Sequence, residues 1–360
     1  MLSMRRSTRL YEDWLAAQLH GDTVQADLRR KHKKMRTSPF AFLRATYWRW
    51  AETVLEVCPS LETGPRVLAV GDIHLENFGT WRDDEGRLIW GINDFDEAAE
   101  MPYALDLVRL ATSALLAHGK RGAPASTIAR AILRGYRQGL AEPSPTVLDR
   151  KYRWLHKLVV VSNDRRREFW QEIDADAAKA GKAPPRYRKA LQASMPAPGL
   201  DLCIGRRRAG LGSLGRPRWV AVANWKGGPV VREAKALVAS GWYRAHNTAN
   251  ARIRCGDIAC GQHRAPDPWY AVASGIVVRR LSPNNRKIEA DDPAMQTLSE
   301  RLLVAMAREL AAVHLGVADR SRAILRDLDK RHGDGWLADS AQQMAKATRA
   351  DFKAYGGSTR

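Results

Sequence analysis

The sequence predicts an α+β protein with two lobes, one largely helical and one built on an antiparallel sheet. Apolar residues recur every three or four positions through the first fifty residues and again after residue 290, which indicates helices. Between residues 201 and 290 the pattern changes to short alternating segments separated by glycine-rich turns, which is typical of antiparallel strands. A strand, a polar cluster, a turn and a returning strand over residues 65–96 lie between the two helical parts.

The chain divides into regions at the points where these patterns change. We expect an N-terminal helical arm, a helical lobe that carries the polar loops, a linker rich in Ala, Pro, Lys and Gly, an antiparallel sheet lobe and C-terminal helices, at 1–34, 35–176, 177–200, 201–290 and 291–360. Periodicity predicts helices over 10–19, 38–57, 102–119, 125–140, 147–173, 294–316 and 336–355. Gly119 is predicted to end the third of these helices, and the basic segment 29–36 is interpreted as a connector.

Composition indicates a folded protein that favours anions. The 360 residues carry a formal charge of +20 and are 45% hydrophobic, which argues against disorder. The basic residues are spread along the chain, so a generally arginine-rich surface explains them as well as a polyanionic partner does. Residues 1–21 lack the apolar core of a signal peptide, and no run approaches the roughly 18 apolar residues of a spanning helix. We therefore expect a soluble cytoplasmic protein.

A polar cluster directly follows the apolar strand that ends near residue 70. Asp72 and Asn77 are five residues apart, the separation at which a kinase-type catalytic loop places its base and its magnesium-binding asparagine. His74 lies between them and is interpreted as a loop-bracing or substrate-facing residue, because no second histidine is near. Asp and Asn are also ordinary turn residues, so each could serve only to stabilise the loop.

A second acidic group follows after a turn. The Asp-Asp-Glu-Gly sequence at 83–86 predicts a hairpin that brings Asp94 and Asp96 back toward the first group. Asn77 and Asp94 are predicted to hold a metal, because carboxylate and amide oxygens suit the hard cation Mg²⁺. Asp96 is two residues further along the strand and could face the same side. The interpretation depends on whether the two groups meet.

The segment AGLGSLG places Gly210, Gly212, Ser213 and Gly215 in a spacing that is often found around phosphates. The residues after it alternate like a strand, so this segment is predicted to link two antiparallel strands, as in a kinase-type loop that covers ATP phosphates. A plain hairpin turn remains the alternative.

A cation for the phosphates is expected on the third strand of this sheet. Arg232 and Lys235 are three residues apart and therefore lie on opposite faces of a strand. Only one can reach a nucleotide, and the sequence leaves open which, although lysine is the commoner solution.

Asp106 follows the second acidic group on the next helix, one helical turn before Arg109. The sequence allows two interpretations. The two residues could form a surface ion pair, or Asp106 could point inward and hold the polar loop.

Several motifs resemble a bacterial family known as domain of unknown function 2252, whose members are similar to remote relatives of aminoglycoside and choline kinases. SPFAFLRA, GDIHLENFG, INDFDEA and DLVRLATS are similar to its N-terminal half, and GLGSLG, REAKAL, DPWYAV and VVRRL are more loosely similar to the remainder. The resemblance extends from about residue 35 to the C-terminus.

The resemblance implies a two-lobed protein-kinase-like fold of the aminoglycoside phosphotransferase type, with its motifs in circularly permuted order. It implies Asp72 as the base, Asn77 and Asp94 as the magnesium ligands, and residues 210–215 as the phosphate-covering loop. Arg232 stands where the family usually has lysine, so either Lys235 replaces that lysine or ATP is held differently. Asp257 is a plausible acidic partner for that cation.

We expect an enzyme that uses ATP and Mg²⁺ to phosphorylate a hydroxyl of an unidentified small molecule. Only a few residues separate Asp96 from the next helix, which is too short for the activation and peptide-docking segment of a protein kinase. The alternatives are a catalytically inactive nucleotide-binding protein, a metal-dependent phosphohydrolase built from Asp72, His74, Asp94 and Asp96, and a basic nucleic-acid-binding protein. Nucleic acid is not expected as the main partner because the basic residues form no recognisable binding module, and no membrane partner is expected.

Overall fold

The structure, a computed structural model, describes residues 2–118, 122–179, 181–249, 251–289, 292 and 299–357. Its longer helices, listed in chain order, are α1 (Met4–Gln18), α2 (Gln25–Lys34), α3 (Pro39–Ala45), α4 (Tyr47–Val57), α5 (Ala104–His118), α6 (Ala125–Ala141), α7 (Arg153–Leu158), α8 (Asn163–Ala177), α9 (Pro185–Ala193), α10 (Gly241–Ala245), α11 (Cys255–Ala259), α12 (Glu300–His314), α13 (Ser321–Lys330) and α14 (Gly335–Ala354). Short 3₁₀ turns form at Pro59–Leu61 and Leu75–Asn77.

Within the described residues, the strands form three sheets in which every pairing is antiparallel. Strands β1 (Arg66–Ala69) and β4 (Ala99–Pro102) form one pair, and β2 (Phe78–Arg82), β3 (Leu88–Ile92) and β5 (Thr146–Val147) form a second sheet in that order. The third sheet has the order β6-β7-β8-β10-β9, from β6 (Cys203–Arg206), β7 (Arg218–Trp225), β8 (Gly228–Ala236), β9 (Ala271–Ala273) and β10 (Ile276–Leu281). The predicted α+β class is therefore confirmed.

The larger core lies among the helices. Helices α6 and α12 cross closely because Gly135 and Gly139 of α6 lie against the backbone of α12, where a Cβ at Gly135 would overlap the carbonyl oxygen of Val304. Apolar side chains of α4, α5, α12 and α14 fill the space around this contact, as Val54, Leu107, Leu310 and Met344 do.

A second core lies on one face of the five-stranded sheet. Trp219 and Ala234 of this sheet share it with Leu15 of α1 and with Tyr187 and Leu191 of α9. The N-terminal helices and α9 therefore cover the sheet and exclude water from it.

The hairpin predicted around residues 83–86 forms between β2 and β3, with Phe78 opposite Ile92. Asp83 closes it, because its carboxylate accepts the backbone N–H and the side-chain N–H of Arg87, each at 2.8 Å. At the other end of the hairpin, the N–H of Asn93 donates to the carbonyl of Asn77 at 3.0 Å. The two polar groups therefore come together at the base of one hairpin.

Two predicted helices are divided. The predicted helix 38–57 is two helices, α3 and α4, that meet at Thr46, whose backbone leaves the helical region with φ −126° and ψ 46°. The predicted helix 147–173 starts instead with β5 and then forms α7 and α8. Periodicity missed these breaks because apolar residues on both sides face a core.

Two segments predicted without regular structure contain helices. The predicted basic connector 29–36 lies mostly in α2, because Leu28 and Lys31 are buried on one face of that helix. The predicted linker 177–200 contains α9, which buries Tyr187 against the sheet. In both segments a helix forms because tertiary packing overrides a polar composition that predicted no regular structure.

Gly119 and residues 294–298, which the sequence assigns to a helix end and a helix start, lie outside the described residues. The strand β4 and the helix α13 were not predicted. Among the helices described here, none is long and apolar enough to cross a membrane.

Candidate functional site

The loop after β1 is held by a buried carboxylate. Asp106 of α5 accepts hydrogen bonds from the backbone N–H of Val70 at 2.7 Å and of Gly71 at 3.0 Å. Gly71 has φ +79°, and a Cβ there would overlap the carbonyl oxygen of Glu97. Glycine is therefore needed at this position, and the loop leaves the strand in one defined direction.

Asp106 in turn is oriented from the C-terminal helices. His314 Nε2 lies 3.0 Å from Asp106 Oδ2, and His314 Nδ1 lies 2.7 Å from the hydroxyl oxygen of Tyr136. The sequence left two roles open for Asp106, and the structure shows the inward one, in which Asp106 holds the polar loop. Arg109 pairs with a different carboxylate.

That carboxylate is Asp72, which Arg109 Nη2 contacts directly. The Arg109 side chain is 0% exposed, and its guanidinium lies between the rings of Tyr47 and Trp50, 5.0 Å and 4.9 Å from their centroids. Burial raises the pKa of Asp72 to about 7, although Arg109 acts in the opposite direction. Asp72 is thus held in one orientation by a fixed cation.

His74 and Asn77 brace the same loop. His74 Nδ1 accepts the N–H of Glu76 at 3.1 Å, and Asn77 Oδ1 accepts the N–H of His74 at 3.1 Å. Burial, followed by the positive charges of Arg44 and Lys287, lowers the pKa of His74 well below its usual range. His74 is therefore neutral, with its proton on Nε2 because Nδ1 accepts a hydrogen bond.

The second acidic group lies against Lys235 of β8. Lys235 Nζ is 2.5 Å from Asp96 Oδ1 and 3.7 Å from Asp94 Oδ1. Burial by itself would raise the pKa of Asp94, but Lys235 and Arg279 outweigh this effect and hold the pKa well below its ordinary value. Asp94 is 39% exposed and ionised, so part of its carboxylate is open to a ligand.

Arg216 joins this acidic group to the five-stranded sheet. Its two terminal nitrogens donate to Asp96 Oδ2 at 3.2 Å and to Glu97 Oε1 at 2.6 Å. Glu97 Oε2 accepts the N–H of Gly241 at 2.7 Å, and its carbonyl accepts the hydroxyl of Ser240 at 2.8 Å. The acidic loop is therefore connected to the segment just before β7 and to the start of helix α10.

The glycine-rich segment links the antiparallel strands β6 and β7, as the sequence predicted, and does not open a helix. Gly210 and Gly215 have φ +73° and +102°, and the hydroxyl of Ser213 accepts a hydrogen bond from Arg218 at 2.7 Å. A Cβ at Gly212 would lie 3.2 Å from Asp72 Oδ2. The segment therefore covers Asp72, and we call residues 210–215 the glycine loop.

Arg232 and Lys235 lie on opposite faces of β8. Lys235 faces the acidic residues, whereas Arg232 Nε donates to the carbonyl of Ser194 at 2.8 Å and its guanidinium lies 4.3 Å from the ring centroid of Trp269. Of the two cations, only Lys235 reaches the predicted site. Arg232 belongs to the packing of β8 against the end of α9.

Asp257 is also outside the site. It lies on α11 and pairs with Arg254 at 2.5 Å, and its side chain is 55% exposed. The acidic partners of Lys235 are instead Asp96 and Asp94. The short helix α11 places Asp257 at the surface. The position of this residue in the sequence did not indicate that.

Three neighbouring cavities surround these side chains. The smallest, about 40 Å³, is lined by the glycine loop and by Asp72, His74, Asn77, Asp94, Asp96 and Glu97. A cavity of about 760 Å³ adjoins it at Arg44, Asp94 and the glycine loop, and has eight Arg and Lys residues against four Asp and Glu residues in its lining. A cavity of about 300 Å³ follows, with Trp81, Phe95, Phe169 and Tyr270 among its walls.

Most of the chain matches one protein family. A family model described as "Uncharacterized protein conserved in bacteria (DUF2252)" matches residues 23–198 and 200–357. The chain belongs to the DUF2252 family. No curated protein and no solved structure matches it. The family membership expected from the motifs is confirmed, and the relationship to kinases remains a prediction.

The donor set of this DUF2252 protein suits a magnesium ion that arrives with a phosphate. Asn77 Oδ1 accepts one hydrogen bond and keeps a second lone pair, and the Asp94 carboxylate is partly open. Mg²⁺ usually keeps several waters and takes one or two protein oxygens together with substrate phosphates. Within the described ranges, no three His, Cys, Asp or Glu side chains form a metal site by themselves. These two oxygen donors therefore fit the ion.

Three cations of the DUF2252 site were missed from the sequence, namely Arg109, Arg216 and Lys287. The only local signal was the spacing of Arg109 one turn after Asp106 on a helix, and that spacing suggested a surface pair. Lys287 follows the last strand of the sheet and lines all three cavities. Burial and the positive charge of Arg44 lower the pKa of Lys287. Its position depends on how the hairpin and the sheet pack together.

Proposed function

We propose that this DUF2252 protein is a kinase-like phosphotransferase that transfers the γ-phosphate of ATP, with Mg²⁺, to a hydroxyl of a small molecule. One observation carries the proposal. Asp72 and Asn77 from the first polar group and Asp94 from the second line one cavity, and the glycine loop from another part of the chain covers it. Phosphoryl transfer depends mainly on such positioning and charge neutralisation.

Asp72 is the group that orients the acceptor hydroxyl. Its carboxylate faces the small cavity, and Arg109 fixes its direction from the opposite side. A pKa near 7 allows the ionised form to accept a hydrogen bond from a hydroxyl at neutral pH. His74 is neutral and contributes by keeping the loop in shape, through the Glu76 hydrogen bond.

Asp94 and Asn77 would hold the magnesium ion. When bound, Mg²⁺ neutralises charge that develops on the transferred phosphoryl group. Asp96 is held between Lys235 and Arg216, so its role in the protein is to keep the acidic loop and Lys235 in place.

The two larger cavities suit the rest of a nucleotide. The aromatic walls of the 300 Å³ cavity can take a planar base, and the basic 760 Å³ cavity lies between it and Asp72. This order of base, phosphates and acceptor is the one that in-line transfer requires.

A kinase-like fold in permuted order accounts for the order of the elements. The loops that follow β1 and β3 precede the five-stranded sheet in the chain, although they lie beneath its glycine loop. In a protein kinase the glycine-rich sheet comes first. A small acceptor is favoured over a protein, because only residues 97–103 separate Asp96 from α5 and β4 occupies most of them.

Nucleotide binding by the Asp94→Ala variant tests the proposal. With Mg²⁺ and a nonhydrolysable ATP analogue, isothermal titration calorimetry should detect binding to the wild type. The variant should bind at least about tenfold more weakly, because a magnesium ligand is lost. Asp84→Ala, on the exposed turn of the same hairpin, is the matched control and should bind normally. Unchanged binding by Asp94→Ala, with its circular dichroism spectrum retained, would contradict the proposal.

A catalytically inactive nucleotide-binding protein is the second candidate, and two contacts favour it. Gly212 lies directly over Asp72, and Lys235 is held by Asp96. Such a protein would bind the ATP analogue with Mg²⁺ but would not consume ATP with any member of a broad panel of hydroxylated acceptors. ATP consumption that is abolished in Asp72→Asn would exclude it.

A further inference from the structure

Lys287 lies where the three cavities adjoin, and it has no carboxylate within ion-pair distance among the described residues. Its backbone bridges to Gly79 of β2, and its side chain borders the small acidic cavity, the basic cavity and the aromatic cavity. No other cation described here borders all three.

Several neighbouring cations already have carboxylate partners. Arg207, Arg218 and Arg279 all pair with Glu233, at 3.0 Å, 2.8 Å and 2.7 Å. Arg44 pairs with Glu76 at 2.5 Å. These pairs direct each guanidinium toward a carboxylate of the protein, although one Glu233 carboxylate does not balance three arginines and the basic cavity keeps a net positive charge.

Lys235 has carboxylate partners as well. Its Nζ is 2.5 Å from Asp96 and 3.7 Å from Asp94, so its positive charge is balanced by two carboxylates. If Asp94 binds a magnesium ion, Lys235 still keeps Asp96. Lys235 is therefore held at the acidic loop.

Lys287 is half-buried, and an ammonium group there without a close carboxylate is open to an anionic ligand from the adjoining cavities. We infer that Lys287 is the residue that binds the polyphosphate chain of the nucleotide, the role that the sequence suggested for Arg232 or Lys235. The identity of the ligand as a nucleotide rests on the proposed function, whereas the prediction that Lys287 binds a polyphosphate does not.

The position of Lys287 agrees with this role. Its side chain stands between the aromatic cavity, which suits a base, and Asp94, which suits the magnesium ion at the far end of the phosphates. A lysine has three donors and adapts as a point charge to phosphate oxygens. The charge of Lys287 is therefore available where the middle of a triphosphate would lie.

Calorimetric titration of the full chain with inorganic tripolyphosphate and with a nonhydrolysable ATP analogue, both with Mg²⁺, tests the inference. The Lys287→Met variant should bind each roughly 10- to 100-fold more weakly than the wild type, the range expected for the loss of a hydrogen bond between charged groups. Lys287→Arg should recover part of the affinity. Lys189→Met, at an exposed lysine of α9, is the control and should bind like the wild type.

The outcomes separate the inference from the proposed function. Equal binding of both probes by Lys287→Met and the wild type, with similar melting temperatures, would overturn the inference and leave the phosphotransferase proposal standing. Binding of tripolyphosphate but not of the ATP analogue, again weakened in Lys287→Met, would support the inference and contradict the use of ATP. Failure of the wild type to bind either probe would overturn both.

Discussion

The surroundings of Asp72 have opposing effects on its ionisation. Burial raises its pKa from 3.8 to about 7, while the guanidinium of Arg109 acts to lower it. Arg109 is fully buried and is held between two aromatic rings, so it cannot move away from Asp72 without leaving its own charge unpaired. The carboxylate is therefore fixed in direction and exchanges its proton near neutral pH.

The titration of Asp72 is the first residue-scale prediction. A ¹³C NMR titration of the aspartate carboxyl carbons should show one group with a midpoint near pH 7, ionised above it and protonated below, that is missing in Asp72→Asn. In Arg109→Met the midpoint should rise further, because the effect that lowers it is removed. A midpoint near 4 in the wild type would contradict the assignment.

The same titration should affect stability with a definite sign. Because the pKa is higher in the folded chain than in the unfolded chain, the folded chain binds the extra proton between about pH 4 and pH 7. The contribution of Asp72 to the free energy of unfolding is therefore complete below about pH 4 and is lost as the pH rises through 7.

At the scale of elements, helix α2 holds the glycine loop against the carboxylate of Asp72. Lys31 Nζ donates to the carbonyl of Gly212 at 2.8 Å and lies 4.9 Å from the ring centroid of Trp48. Leu28 packs against Gly215, and the N–H of Val24, just before the helix, donates to the Gly215 carbonyl at 2.9 Å. Burial and the nearby charge of Arg216 lower the pKa of Lys31 to about 8. The N-terminal arm is therefore part of the site.

We expect Lys31→Met to loosen the glycine loop. The variant loses a hydrogen bond from a charged donor to the Gly212 carbonyl, worth about 1.5–3 kcal/mol. Hydrogen–deuterium exchange of residues 209–216 should accelerate by roughly tenfold or more if the loop opens locally. Lys33→Met, on the exposed face of the same helix, is the matched control. Unchanged exchange in Lys31→Met would mean that Val24 and Leu28 hold the loop without it.

At the scale of the whole molecule, Asp106 connects parts of the chain that are far apart in sequence. It joins the loop after β1 to α5 and, through His314 and Tyr136, to α12 and α6. The direction of Asp72 therefore depends on the packing of the helical core. A change in that packing would alter the orientation of Asp72, even where the changed residues contact no ligand.

Asp106→Ala should be strongly destabilising. The substitution leaves two backbone N–H groups and a ring nitrogen without their shared acceptor in a fully buried position, and we expect a loss of roughly 3 kcal/mol or more in the free energy of unfolding. Urea denaturation followed by circular dichroism measures this loss. Asp329→Ala, at an exposed ion pair with Arg137, should change it by less than about 1 kcal/mol. Equal losses in the two variants would contradict the role of Asp106.

Local patterns in the sequence determined the parts of this protein that depend on neighbouring residues. The turn at 83–86 predicted the β2–β3 hairpin, and the proline and alternating residues after Gly215 predicted a loop between strands. The three-residue spacing of Arg232 and Lys235 predicted opposite faces of β8. These features follow from backbone geometry over a few residues, which a sequence carries directly.

Only the tertiary structure decided which of these residues meet. The partner of Asp72 is Arg109, the residue that reaches the acidic loop is Lys235, and the cation that borders all three cavities is Lys287. The helix at 25–34 forms in a basic segment because one of its faces is buried against the glycine loop. Such contacts join residues tens to hundreds of positions apart, and their energies come from burial and charge pairing that exist only once the helices and sheets have packed.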